Sequence, residues 1–130
     1  MKRGAPVERL GDNTRGTKLV TTARTDLLQG TLELLILKTL QIGEPMHGWG
    51  VAVRIQQLSE DVLQLNQGSL YPALHRLEHK GWIRSQWGVS ENNRRAKFYR
   101  LSALGRGQLV DEQEHWDLFT GAVQRILTAD

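Results

Sequence analysis

Residues 66–81 read NQGSLYPALHRLEHKG, and residues 82–101 continue WIRSQWGVSENNRRAKFYRL. Asn66 is a favoured N-cap residue, because its side-chain oxygen accepts from a backbone N–H that the first helical turn leaves unpaired. Leu65 and Leu70 flank that cap at the positions of a hydrophobic staple. Leu70, Leu74 and Leu77 recur at helical spacing and predict one buried stripe. Ser69, Tyr71, Pro72, His75, Arg76 and His79 fall on the other face. Pro72 removes one backbone donor and crowds the carbonyl four residues back, which should loosen the first turns. Gly81 suits the position just past a helix C-terminus. After it, Trp82–Trp87 reads as a strand, Gly88–Arg95 as a polar hairpin tip and Ala96–Leu101 as the returning strand.

Working outward, Leu28, Leu32, Leu35, Ile36, Thr39 and Leu40 form one stripe of a helix that begins near Asp26 and ends at Gly43-Glu44-Pro45. A second helix spans about Gly48 to Leu58, with Val51, Ile55 and Leu58 on one face. Beyond the hairpin, Ser102 caps a last helix of roughly 25 residues. There Leu109, Trp116 and Val123 lie seven apart, as do Phe119 and Ile126, the period of a coiled-coil seam. A three-helix core leaves so long a helix little to cover, so a partner chain is expected on the seam rather than folding back on its own domain. Three helices, a hairpin and a long helix predict a mainly α protein: a winged helix-turn-helix with a small β-hairpin wing, plus a C-terminal dimerisation helix. The expected division is a basic flexible arm at 1–25, a winged-helix DNA-binding domain at 26–101 and a dimerisation helix at 102–130. Within the arm, partial order is expected near Leu19 and Val20.

The chain has 130 residues and no cysteine, which excludes disulfides, thiol catalysis and cysteine-ligated metals. No apolar run approaches a bilayer-spanning length and the basic N-terminus has no apolar core segment, so a cytoplasmic protein is expected. The net charge of +3 is unevenly spread: +4 over residues 1–25, −3 over 26–74, +5 over 75–100 and −3 over 101–130. Basic charge on an arm and on the block that runs from the end of the third helix through the hairpin is the footprint of a polyanion-binding face. A solvated surface is the plainer alternative for any such run, and plain disorder the alternative for the arm.

Elementary chemistry gives the block its expected roles. Asn66 and the first backbone N–H groups give the third helix a positive end suited to phosphate. Ser69, Tyr71, Pro72, His75 and Arg76 form the face expected to enter the major groove, with Arg76 suited to bidentate recognition of guanine. Arg94, Arg95 and Lys97 put cations on the hairpin, where phosphate contacts set register. Trp82 and Trp87 are expected to pack the wing against the helices. His75 and His79 stand four apart, a spacing that can seat a metal, but they lack further ligands and lie on the expected DNA face, so no metal site is assigned. His115, beside Trp116, is expected to face solvent, and His47-Gly48-Trp49 to pack at a helix start. Glu33, Glu44 and Glu78 read as scattered surface positions. With no Gly-rich phosphate loop, nucleophile elbow or paired carboxylates, no catalytic residue and no cofactor is assigned, and an enzyme is the weakest reading.

The runs HGWGVAVRIQQ (47–57), QGSLYPALHRLEHKGWI (67–83) and WGVSENNRRAKFYRLSALG (87–105) resemble the PadR family of bacterial transcriptional regulators, and the resemblance covers about residues 27–130. It implies that Ser69, Leu70, Tyr71, Pro72 and Arg76 lie on the recognition helix and Arg94, Arg95, Lys97 and Tyr99 on the wing. Ser102 replaces the family's commoner Thr. The single terminal helix resembles the short branch of the family, in which that helix makes the dimer. A tryptophan matching Trp116 lines a flat pore between subunits in drug-sensing members. The resemblance thus implies a homodimeric repressor of a pseudo-palindromic operator on double-stranded DNA, released by a small apolar or aromatic effector. The alternative is a winged helix used for protein–protein contact or RNA binding, without an operator.

Overall fold

The computed structural model describes residues 19–20 and 26–130, and from Gly30 onward their side chains. Among the described residues nine elements follow one another: β1 (Leu19–Val20), α1 (Asp26–Ile42), β2 (Met46–His47), α2 (Gly48–Leu58), β3 (Leu63–Gln64), α3 (Gln67–His79), β4 (Ile83–Val89), β5 (Arg95–Leu101) and α4 (Ala103–Leu127). The basic arm expected at 1–25 lies outside the described residues except for β1, which pairs in parallel with β3. The remaining sheet has the order β2-β5-β4, with antiparallel pairs throughout. Mainly helical, with a small three-stranded antiparallel sheet that ends in a hairpin, the chain has the winged-helix architecture.

Helix α1 is the hub. Leu32, Ile36, Leu37 and Leu40 are all buried, because α2, α3, α4 and β5 pack around it. The stripe read from sequence left out Leu37, since a helix covered on several sides buries more than one row. Helix α2 buries Val51, Ala52 and Ile55 but leaves Leu58, its last residue, half exposed. His47 caps it: the Gly50 N–H donates to His47 Nδ1 at 3.1 Å.

Helix α3 matches its sequence at both ends. The Ser69 N–H donates to Asn66 Oδ1 at 2.9 Å. At the far end Gly81 adopts φ 81°, the Gly81 N–H donates to the Glu78 carbonyl and the Trp82 N–H to the Leu77 carbonyl. That pair of bonds is the Schellman turn, which a residue with a Cβ reaches only under strain. Leu70, Ala73, Leu74 and Leu77 are buried, and Pro72 sits inside a helix that continues through it.

The hairpin is longer than its sequence suggested. Val89 pairs with Arg95, so the tip shrinks to Ser90–Arg94. Asn93, in the left-handed region at φ 60°, makes the reversal, while the Ser90 N–H donates to the Arg94 carbonyl at 2.8 Å. Gly88 and Val89 thus belong to a strand, and Arg95 is a strand residue rather than part of a loose tip.

Ser102 fixes the start of α4 in two ways. Its Oγ accepts from the Gly105 N–H at 2.9 Å and donates to the Gly81 carbonyl at 2.6 Å. Gly105 brings α4 onto the backbone of Trp82: a Cβ there would lie 2.8 Å from the Trp82 carbonyl carbon and closer still to its oxygen. The first half of α4 therefore belongs to the core, and Leu109 is 2% exposed within it. This corrects the expectation that Leu109 joins the dimer seam. Leu109 lies on the same helical row as Trp116 and Val123, but its part of the row is covered by this chain's own core.

Candidate nucleic-acid interface

The exposed row of α3 is Gln67, Tyr71, His75 and His79, flanked by Gly68 and Pro72. These positions recur four apart, on the face turned away from Leu70, Leu74 and Leu77. The Tyr71 ring lies over Gly48 at the start of α2 and is still 43% exposed, so one side packs and the other is offered outward. Asn66 is exposed as the cap. Ser69, expected on the outward face, is buried at 6%, because its position points between the helices. Gln67 was absent from the sequence-based set; as the first residue of a capped helix whose next turns face outward, it completes the row.

Arg76 is placed differently from its expectation. Its Nε donates to Glu33 Oε2 at 2.6 Å, and Lys80 Nζ reaches Glu33 Oε1 at 3.1 Å. Glu33 is almost buried on α1, so one carboxylate ties Arg76 of α3 and Lys80 at its C-cap to the central helix. Arg76 keeps only its terminal nitrogens for another partner, which rules out recognition through Nε.

Glu78 holds the wing to α3 in the same manner. Ser85 Oγ donates to Glu78 Oε2 at 2.6 Å, and Lys97 Nζ lies 3.4 Å from Glu78 Oε1. Lys97, expected as a phosphate contact, is thus half-buried and partly neutralised. Glu44 closes a third tie by accepting from the Leu101 N–H at 2.7 Å and pairing with Arg106 of α4. Glu33, Glu44 and Glu78 are therefore the ties between elements, not scattered surface acids. Tyr99, buried beside them, has its phenol pushed above the usual 10.0, by burial first and then by the Glu78 carboxylate and Tyr71.

Arg94 and Arg95 are exposed on the wing, and among the described residues neither has a carboxylate partner. Trp82 packs against the core as expected, with Lys80 over its ring at 4.5 Å. Trp87 departs from that expectation: it is 54% exposed, because the strands run past the helices. On the opposite face Arg84 and Arg100 stand directly across from each other, both exposed. Sequence reading had assigned neither, since cross-strand register decides which cations meet. Among the described residues no group of three or more His, Cys, Asp or Glu is placed to hold a metal. Among them, too, no helix is long and apolar enough to cross a membrane.

At the other end of the molecule, α1 and α4 enclose a shallow groove of about 200 Å³ lined by Gly30, Thr31, Leu34, Glu112, His115, Trp116 and Phe119. The Trp116 and Phe119 rings lie 6.3 Å apart and tilted by 45°. His115 is exposed at the rim, with Nδ1 3.0 Å from the Asp111 carbonyl. Val123 is half-buried and Ile126 is 73% exposed.

A model of the transcriptional regulator PadR-like family matches residues 36–111, from mid-α1 through the wing into α4. The chain belongs to the PadR-like family of transcriptional regulators. The matched span holds α3, the wing and the Glu44 and Glu78 ties, while Glu33 lies three residues before it. This PadR-like chain is 26% identical over 93 residues to an uncharacterized protein of Lysinibacillus sphaericus, covering 72% of this chain and 84% of that one. It is 36% identical over 58 residues to the transcriptional regulator Rv3488 of Mycobacterium tuberculosis, covering 45% of this chain and 53% of that protein. Among solved structures, a PadR family transcriptional regulator of Eggerthella lenta superposes with a TM-score of 0.66 at 27% identity, over 81% of this chain and 88% of the other. A Clostridium thermocellum transcriptional regulator does so with a TM-score of 0.69 at 26% identity, over 78% of this chain and 97% of the other.

Proposed function

We propose that this PadR-like regulator is a sequence-specific repressor that binds double-stranded DNA as a homodimer and is released by a small apolar or aromatic effector. The observation that carries this reading is exposed geometry beside concentrated charge: the outward row of α3 leads into the +5 block of residues 75–100, where Arg94 and Arg95 are exposed and, among the described residues, have no carboxylate partner. Tyr71 and His75, with Gln67, supply donors for base edges, Asn66 and the start of α3 suit a phosphate, and the wing cations suit the flanking backbone. The three-part division follows: an arm at 1–25, a winged-helix domain at 26–101 and a dimerisation helix at 102–130.

The second half of α4 supports a partner chain. Trp116, Phe119 and Ile126 present apolar surface beyond the buried Leu109, where α4 leaves the core. A groove of about 200 Å³ is below the usual ligand-site range of roughly 300–1,000 Å³. A second copy facing it would double the wall and enclose a flat aromatic molecule between indoles. The effector releases DNA only if it favours the arrangement that DNA does not.

Selection of bound fragments from the source genome, its own promoter included, tests the proposal. Recovery of one inverted-repeat fragment, retarded as a dimer, is the expected result. Failure to retard any duplex at low salt would turn the reading to RNA or protein recognition.

A further inference from the structure

We propose that Trp87 is a DNA-contact residue: its indole and the Arg95 guanidinium together form a clamp for one sugar–phosphate strand beside the groove that α3 reads. The inference rests on the DNA-binding reading above and assigns it a residue and a mode of contact.

Arg95 Cζ lies 4.3 Å above the Trp87 ring centroid, within cation–π range, and Lys97 Nζ stands 5.9 Å from the same ring. The cross-strand pairs Ile83 with Leu101, Ser85 with Tyr99, Trp87 with Lys97 and Val89 with Arg95 alternate onto one face of the sheet. Nearer the core, that face carries the buried Ile83, Tyr99 and Leu101, and from it Ser85 and Lys97 reach Glu78 of α3. Farther out it carries Trp87, Val89 and Arg95, all exposed, where no helix among the described residues covers them. The wing's uncovered side is therefore the side facing the recognition helix.

The chemistry of that strip matches a DNA backbone. Deoxyribose offers an apolar C–H face and the adjoining phosphate a negative charge, so an indole beside a guanidinium meets both at once. Stacking on Trp87 restricts the long Arg95 side chain before DNA arrives and lowers the entropy lost on contact. A half-exposed indole beside an exposed valine, on a strand with no cover, is otherwise an apolar surface without use. Lys97 pairs with Glu78 at 3.4 Å, so its charge is partly engaged within the wing–α3 tie rather than competing for the phosphate.

The test uses the full chain and a fluorescent duplex carrying the selected fragment. Trp87→Ala, Arg95→Ala and the double variant are titrated over several salt concentrations, with thermal unfolding to confirm the fold. Trp87→Ala is expected to weaken binding roughly fivefold, through loss of the ring's sugar contact and of the restraint on Arg95. Arg95→Ala should lower the log–log salt slope by about 0.9 per protomer. The double variant should be no weaker than the poorer single one, because the two side chains act as one unit. Trp87→Phe, which keeps a ring beneath Arg95, should bind nearly as wild type but lose the part of the DNA-induced emission change that belongs to Trp87. If wild type binds while Trp87→Ala has unchanged affinity and slope, or the single effects simply add, the clamp is overturned and the DNA reading stands. An emission change identical in wild type and Trp87→Phe overturns it too, even should the alanine variant misfold. Tighter binding to the single strand than to the duplex overturns it in favour of base stacking. If wild type retards no duplex at all, both readings fall together.

Discussion

Glu33 is the side chain on which the interface turns, and sequence patterning could not find it. Its partners Arg76 and Lys80 lie 43 and 47 residues away. Helical periodicity places Glu33 on α1 and Arg76 on α3 but says nothing of how the two helices cross. The same limit separates Tyr71 and His75, legible as outward because they oppose a leucine stripe, from Ser69, whose burial depends on neighbouring helices. Removing Arg76 leaves Glu33 with Lys80 alone in a nearly buried position. Arg76→Ala is thus expected to cost roughly 1–3 kcal/mol of stability, read from urea unfolding. If it instead leaves stability unchanged and abolishes discrimination at one base pair, Arg76 is a base reader and the tie is incidental. Tyr99 gives a second residue-scale expectation. A phenol whose folded value is raised adds stability that is present below the ordinary 10.0 and is lost as pH rises above it. The melting temperature should therefore fall more steeply above pH 10.0 in wild type than in Tyr99→Phe, with the two curves parallel below it. Parallel curves throughout would show that Tyr99 does not ionise differently in the fold.

Elements were legible where their ends carry their own chemistry. Asn66, Gly81 and Ser102 mark helix boundaries through local hydrogen bonds, and each makes the bond its residue type favours. The wing's length was not legible, because Val89 and Arg95 become strand only once paired with each other. Nor was the split character of α4: the row through Leu109 and Trp116 is uniform in sequence, and only the packing of α1 and β5 divides it. Gly105 marks where that packing is closest. Gly105→Ala would force a Cβ into the Trp82 carbonyl and push α4 off the wing, with an expected loss on the order of 3 kcal/mol in chemical unfolding. A variant as stable as wild type would mean that α4 is free to shift. Gly107→Ala, where a Cβ meets nothing within 4 Å, is the matched control and should be neutral or stabilising.

For the whole molecule, charge and apolar surface separate along the chain: cations gather from α3 through the wing, while α4 carries acids beside its aromatic strip. The surface proposed for a second copy and the one proposed for DNA thereby avoid each other. Trp116→Ala is expected to weaken self-association by about 2 kcal/mol or more while the winged part stays folded. Sedimentation velocity reads the first and far-UV circular dichroism the second. A variant that dimerises as wild type and quenches equally with planar aromatic ligands would return Trp116 to intrachain packing.

The anchoring of α4 at only one end has a mechanical consequence. Ser102 and Gly105 clamp its start to the wing junction, and the helix then runs 25 residues without a break. At about 1.5 Å per residue it is a rod of roughly 37 Å, so a tilt of about 10° at one end moves the other by about 6 Å. In a dimer paired through the free halves, the rods act as levers whose fulcrum is the aromatic strip and whose longer ends carry the wings. A flat molecule wedged at the fulcrum need open the crossing angle only slightly to pull two wings out of step with a fixed groove spacing. The glycine that lets α4 touch the wing backbone is thus also the hinge-free joint that keeps such a lever stiff.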